Sequence, residues 1–241
     1  MLQFKDCENF GEHKLVRKFI KGVFELRPAL PRYSTTWDVD VVFEYLETLK
    51  PHDKLTLKEI TLKLVMLLAL LSGQRCQTIT KLSLSAMKLQ DTKCVFNIDF
   101  LIKQSRKGKH LAPIEFLAFP DNSSLCVLSV LREYLRRTVD IRGDTQILLI
   151  SYQKPHKAVS TDTLARWLKE VLTRAGIDTL QFGAHSTRSA STSAAVVRGT
   201  PVDVVMKAAG WSAASTFTKF YRKPPSTNMG QALLDSFLRK Q

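Results

Sequence analysis

The sequence predicts a mostly α-helical fold with one small antiparallel β-hairpin, an α+β body. Three observations predict it. Apolar residues recur at helical spacing through most of the chain, between recognisable caps and stops. One segment, Lys93–Lys103, switches to rough alternation and is followed by a polar turn and a second apolar run. The composition is that of a packed protein, with 44% hydrophobic and 24% charged residues over 241 residues. This excludes a disordered basic tail, whose apolar content would be too low for a core. The 36 Lys and Arg outnumber the 22 Asp and Glu, for a net charge of +14. The excess is therefore carried on a folded body, which favours a polyanionic partner, nucleic acid first.

In the first segment Val16, Phe19, Ile20 and Val23 are helically spaced, with basic residues between them. Arg27–Thr36 holds two prolines and a polar run, the signature of a linker, and a domain boundary is placed there. Residues 1–33 are expected to be a short helical piece plus linker, and 34–241 the main domain. Asp38 caps a helix whose apolar face is Val39, Val42, Phe43, Leu46 and Leu49, and Pro51 stops it. Thr56 with Glu59 three positions on is a capping box, and the nearly unbroken apolar run Leu62–Leu71 predicts a helix buried on most sides. Ser72-Gly73 ends it, and Gln74-Arg75 follows.

Val95, Phe96, Ile98, Phe100 and Ile102 predict a strand, Gln104–Lys109 a basic turn, and Leu111–Phe119 the returning strand. Helices are expected at 124–138, 161–175, 185–198, 202–209 and 213–222, and in the tail Met229, Leu233, Leu234, Phe237 and Leu238 are helically spaced. The tail suits packing on its own domain or docking onto a neighbouring protomer. The four cysteines form no CxxC pair, so neither a zinc ribbon nor a disulfide framework is indicated. The longest apolar run, Leu64–Leu71, is far short of the roughly 18–20 residues that cross a bilayer, so no membrane association is expected. No metal-ligand cluster and no cofactor motif is present, and none is expected.

The chemistry concentrates near the C-terminus. His185 and Arg188 stand three apart at a predicted helix start, which places them on one face. A helix N-terminus favours anions, arginine adds a permanent charge and a planar donor fork, and histidine donates or moves a proton. Ala209-Gly210-Trp211 and Phe220-Tyr221-Arg222 follow. Read alone, each has an ordinary structural explanation: Arg75 as a helix-end cation, His185 as a cap, Trp211 and Tyr221 as packing aromatics, and the hairpin lysines as a solvated turn.

Taken in order, Arg75, Lys103, His185 with Arg188, Trp211 and Tyr221 resemble the catalytic set of the tyrosine recombinase (phage integrase) family. The resemblance runs over about Ser34–Tyr221. The phrases Lys-Gln-Ser-Arg-Lys-Gly-Lys-His (103–110) and Ala-Gly-Trp-Ser-Ala-Ala-Ser-Thr-Phe (209–217) further resemble recombinases of eukaryotic DIRS and crypton mobile elements. The family resemblance implies strand cleavage and rejoining through a 3′-phosphotyrosyl intermediate, without metal. In it Tyr221 is the nucleophile and Arg75 and Arg188 stabilise charge on the attacked phosphate. His185 and Trp211 add donors, and Lys103 is the general acid, with Lys107 the runner-up. Arg106, Lys107 and Lys109 are expected to touch DNA. The implied partners are double-stranded DNA and further copies of the chain, as a tetramer on DNA. The implied location is the nucleus if the protein is eukaryotic and the cytoplasm otherwise.

Three departures from the family pattern stand out. Thr78 occupies a position that is commonly acidic. Tyr221 falls ten positions after Trp211, one more than in bacterial members, whose tyrosine position holds Phe220 here. Residues 1–33 resemble only a remnant of the family's N-terminal helical domain. These departures leave two competing readings: a catalytically silent DNA-binding module, and relaxation of supercoiled DNA as in type IB topoisomerases.

Overall fold

The computed structural model describes residues 10–27, 35–101 and 112–211. The chain divides into two compact units, Met1–Arg32 and Tyr33–Gln241. The first contains helix α1 (Lys14–Leu26), capped by His13, whose Nδ1 accepts from the Leu15 N–H at 3.2 Å.

The second unit is built around α3 (Leu57–Ser72). Its start is the predicted capping box: Thr56 Oγ1 accepts from the Glu59 N–H, and Glu59 Oε2 accepts from the Thr56 N–H. Every residue from Ile60 to Leu70 is buried, because other elements cover α3 on most of its sides. It packs against α4 (Cys76–Ile79), α5 (Val127–Thr138), α6 (Thr161–Arg174) and α7 (Ser186–Val197). α2 (Val39–Thr48) lies on α6 and α7, and α8 (Val202–Ala209) lies on α7. Each fully buried leucine along α3 contributes about 1.5–3 kcal/mol, which makes this helix the hub of the core.

Lys63 is the exception on α3. It is wholly buried, and its ammonium donates to the Leu49 carbonyl at 2.6 Å. Burial, with Lys50 nearby, pulls its pKa down to about 8.

The sheet has three antiparallel strands in the order β1 (Met87–Leu89), β2 (Lys93–Phe96), β3 (Ile114–Leu117). Cys94 pairs with Phe116 and Phe96 with Ile114, so all four side chains enter the core. On the outer face Lys93 pairs with Glu115 at 3.2 Å. The mostly helical body with a small antiparallel sheet is the predicted fold class.

The short elements β1 and α4 and the bounds of β2, β3 and α5 differ from expectation. β1 was not anticipated; at Met87–Leu89 it is too short for alternation to stand out. β2 ends at Phe96 rather than continuing to Lys103: the ladder with β1 closes with the Asn97 N–H donating to the Ala86 carbonyl, and residues 97–101 form no strand. α5 begins at Val127 rather than Ser124, because Asn122 Oδ1 accepts from the N–H groups of Ser124 and Leu125 and holds a turn there. The hairpin tip 104–109, the helix expected at 213–222 and the tail from 228 lie outside the described residues. Among the described residues no helix is long and apolar enough to cross a membrane.

Candidate active site

α3 ends at Gly73, which adopts φ 58°, ψ 18°, the left-handed conformation that a helix C-terminus favours. The turn delivers Gln74 and then Arg75, the N-cap of α4. Arg75 is half-buried, and its guanidinium makes no hydrogen bond or ion pair among the described residues. Thr78, where the family pattern is commonly acidic, is buried in α4 and leaves the arginine without a local carboxylate.

α7 is rich in small residues, with Ala190, Thr192 and Ser193 buried, which lets it approach α3 closely. Its first turn is pinned from the start of α2. Trp37 Nε1 donates to Ser186 Oγ at 2.9 Å, and that hydroxyl donates to the Gly183 carbonyl at 2.7 Å. Further along, Ser191 Oγ donates to the Leu70 carbonyl and locks α7 onto the end of α3.

Arg188 joins these pieces. It is 3% exposed. Its Nη1 donates to the Gly73 carbonyl at 2.6 Å, and its Nη2 to the Ala209 carbonyl at 2.9 Å. Its guanidinium carbon lies 4.0 Å from the centre of the Trp211 ring, a cation–π contact. One side chain therefore ties the end of α3, the body of α7 and the end of α8. Trp211 itself is buried against Val205 and Ala209, so packing and placement beside the arginine are compatible.

His185 is the N-cap of α7 and exposed, whereas Arg188 is buried. Their spacing of three sets one at the exposed end of the helix and the other in its buried part. A cap sits at the mouth of the helix and reaches solvent; Arg188, further into the helix, meets α3 and α8. The structure thus gathers Arg75, Arg188 and Trp211 around two turns, with His185 at the head of the same helix. Lys103, Arg106, Lys107, Lys109 and Tyr221 lie outside the described residues. The four basic residues belong to the connection between β2 and β3, and Tyr221 follows Trp211 in the chain.

Sequence reasoning missed Gln74. Its Nε2 donates to the Ala208 carbonyl at 2.7 Å, adjacent to the carbonyl that Arg188 holds. Its only signal was its place between a helix-ending glycine and a candidate site arginine.

Arg188 is thus a buried cation held by two main-chain carbonyls and stacked on the Trp211 indole, and one of those carbonyls belongs to the turn that leads to Arg75. The chain belongs to the phage integrase family, which matches residues 39–226. Its fold is that of a tyrosine recombinase catalytic domain. The structure is similar to that of XerA recombinase (16% identity, TM-score 0.60, 95% of this chain and 73% of that one). It is also similar to XerH site-specific recombinase bound to difH substrate in a pre-cleavage complex (15%, TM-score 0.57, 78% and 49%). A third is a lambda integrase(75-356) dimer bound to a COC′ core site (16%, TM-score 0.52, 89% and 74%). The chain spans about half the length of the XerH recombinase it matches. No curated protein matches it in sequence.

Proposed function

We propose that this chain cleaves and rejoins double-stranded DNA in site-specific recombination, through a covalent 3′-phosphotyrosyl link to Tyr221. The observation that carries this reading is the placement of Arg188. It brings the Arg75 turn, the head of α7 and Trp211 to one place, although they are separated widely in sequence. Family membership and the DNA-bound states in which XerH and lambda integrase were solved support it.

The chemistry follows from what phosphodiester exchange requires. Tyr221 Oη attacks phosphorus and the bond to the 5′-oxygen breaks, so phosphotyrosine forms and a 5′-hydroxyl leaves. Negative charge grows on the non-bridging oxygens, where Arg75 and Arg188 sit, with His185 and Trp211 as further donors. Arg188 is already oriented by two carbonyls, so little reorganisation is needed when that charge develops. A phenol of pKa about 10 must lose its proton on attack, and neighbouring cations favour that loss. Lys103 on the β2–β3 connection protonates the leaving oxygen, with Lys107 the alternative. Attack by a 5′-hydroxyl on the phosphotyrosine reverses the step and rejoins a strand. Arg106, Lys107 and Lys109 hold flanking phosphates.

Exchange between two duplexes needs several copies, and the lambda integrase tetramer solved on a Holliday junction supports a tetramer here. The two phrases that resemble DIRS- and crypton-type enzymes support a mobile-element role, with action in the nucleus if the protein is eukaryotic and in the cytoplasm otherwise.

The test is a nicked suicide duplex, which traps the covalent intermediate. Wild type is expected to give a protein–DNA adduct and Tyr221→Phe none, while both bind DNA with the same steep salt dependence. An adduct that survives in Tyr221→Phe overturns the assignment. Salt-dependent binding with no wild-type adduct on any substrate indicates a silent DNA-binding module.

A further inference from the structure

We propose that Gln74 is a positioning residue of this site, tying the Ala208–Trp211 turn to the Gly73–Arg75 turn and so setting the gap that receives the phosphate. The proposal rests on the recombinase reading above.

The argument begins at the end of α8. The last carbonyls of a helix have no partner within it. Here two consecutive ones, on Ala208 and Ala209, are taken by side chains from elsewhere: Gln74 Nε2 at 2.7 Å and Arg188 Nη2 at 2.9 Å. Arg188 in turn holds the carbonyl of Gly73, the residue before Gln74, at 2.6 Å. The two turns are therefore joined by two adjacent ties. With one tie a turn can pivot about it; with two its orientation is fixed.

Gln74 is itself fixed at the root. Its N–H donates to Ser72 Oγ at 3.2 Å, and that hydroxyl donates to the Leu68 carbonyl at 2.6 Å. Its Oε1 is buried and makes no hydrogen bond among the described residues. The side chain thus serves the site through its amide N–H₂ alone. The tie lies at the exposed side of the site, where a hydrogen bond adds little to stability. Geometry is another matter: a displacement of about 1 Å at a reacting centre can lower a rate by about a hundredfold. Gln74 lies immediately before Arg75, and Ala208 lies three residues before Trp211, so loosening this tie moves both groups relative to Arg188.

Two variants of the full chain test it in single-turnover cleavage of a suicide duplex at several protein concentrations. Gln74→Met keeps length and removes the donor. Its maximal rate is expected to fall by about tenfold or more, with the half-saturating concentration within about twofold of wild type and circular dichroism showing a folded protein. Gln74→Glu adds a pH signature. The ionised carboxylate cannot donate to the Ala208 carbonyl, but the protonated acid can. Its deficit relative to wild type should therefore narrow as pH falls through the carboxyl range near about 4–5.

A Gln74→Met protein that cleaves at the wild-type maximal rate overturns the proposal. So does a loss confined to the half-saturating concentration, or a Gln74→Glu deficit that is constant with pH. If wild type itself forms no adduct, the recombinase reading fails instead, and amide exchange at residues 208–211 decides the tie alone. Faster exchange in Gln74→Met then supports it, and unchanged exchange overturns it.

Discussion

Gly73 meets two demands at once. Its φ of 58° suits glycine, and a Cβ there would lie 2.9 Å from Thr192 Cγ2 on α7. Gly73→Ala is therefore expected to destabilise the fold by about 1–3 kcal/mol, from the left-handed backbone and from overpacking together. Adding Thr192→Ser removes the clashing methyl and should recover the packing part but not the backbone part, as read by urea unfolding of the single and double variants. The glycine's role as a helix stop was legible from Ser72-Gly73; its closeness to α7 was not, because nothing local encodes a contact with Thr192. Lys63 carries a second prediction. Burial lowers its folded pKa to about 8, below its ordinary value near 10.5, so the unfolded chain binds more protons between those limits. This residue's contribution to stability must then rise with pH from about 8 to 10.5 and be flat below. Comparing Lys63→Met with wild type by thermal unfolding across that range checks it: the difference between the two should depend on pH there and be constant below it.

Among the elements, α5 organises the loop before α3. Glu133 receives hydrogen bonds from Arg136 and Arg137, which hold its carboxyl at about 2. Arg137 also donates to the carbonyls of His52, Asp53 and Leu55. A carboxyl lowered in the fold stabilises fully above its unfolded pKa and stops doing so as pH falls through the folded value. Glu133→Gln is thus expected to lose about 1–2 kcal/mol near neutral pH. The gap to wild type should shrink as pH falls from about 4.5 toward 2. Thermal unfolding at a series of pH values measures it; a gap independent of pH contradicts the account. Elements with strong local signals were legible. Thr56 and Glu59 announced α3, Asp38 announced α2, and α6 and α8 fell where periodicity put them. The short ones were not. β1 exists because β2 supplies its hydrogen bonds, and the four residues of α4 are too few for a period to show.

For the whole molecule, the charge of +14 gains a partial address. Arg188 is buried as the junction of α3, α7 and α8, and Arg75 stands at the adjoining turn. The candidate site is read from the sequence only as an ordered set of residue types that resembles the family's, since Arg75, His185 or Trp211 taken singly has an ordinary structural explanation. Its internal bracing was not legible. The ties from Arg188 and Gln74 end on main-chain carbonyls, which carry no sequence signature. The same bracing predicts that Arg188→Lys cannot substitute: an ammonium lacks the planar fork that reaches Gly73 and Ala209 together. Loss of adduct with DNA binding retained, measured on the suicide duplex and by salt titration, is the expected result. The central claim is that the reaction passes through one tyrosine. Its most direct test is to digest the wild-type adduct with protease and nuclease and map the modified residue by mass spectrometry. The account predicts a 3′-phosphonucleotide on Tyr221 alone, beside a free 5′-hydroxyl on the released strand. A nucleotide on any other residue, or cleavage with no covalent nucleotide at all, would contradict it.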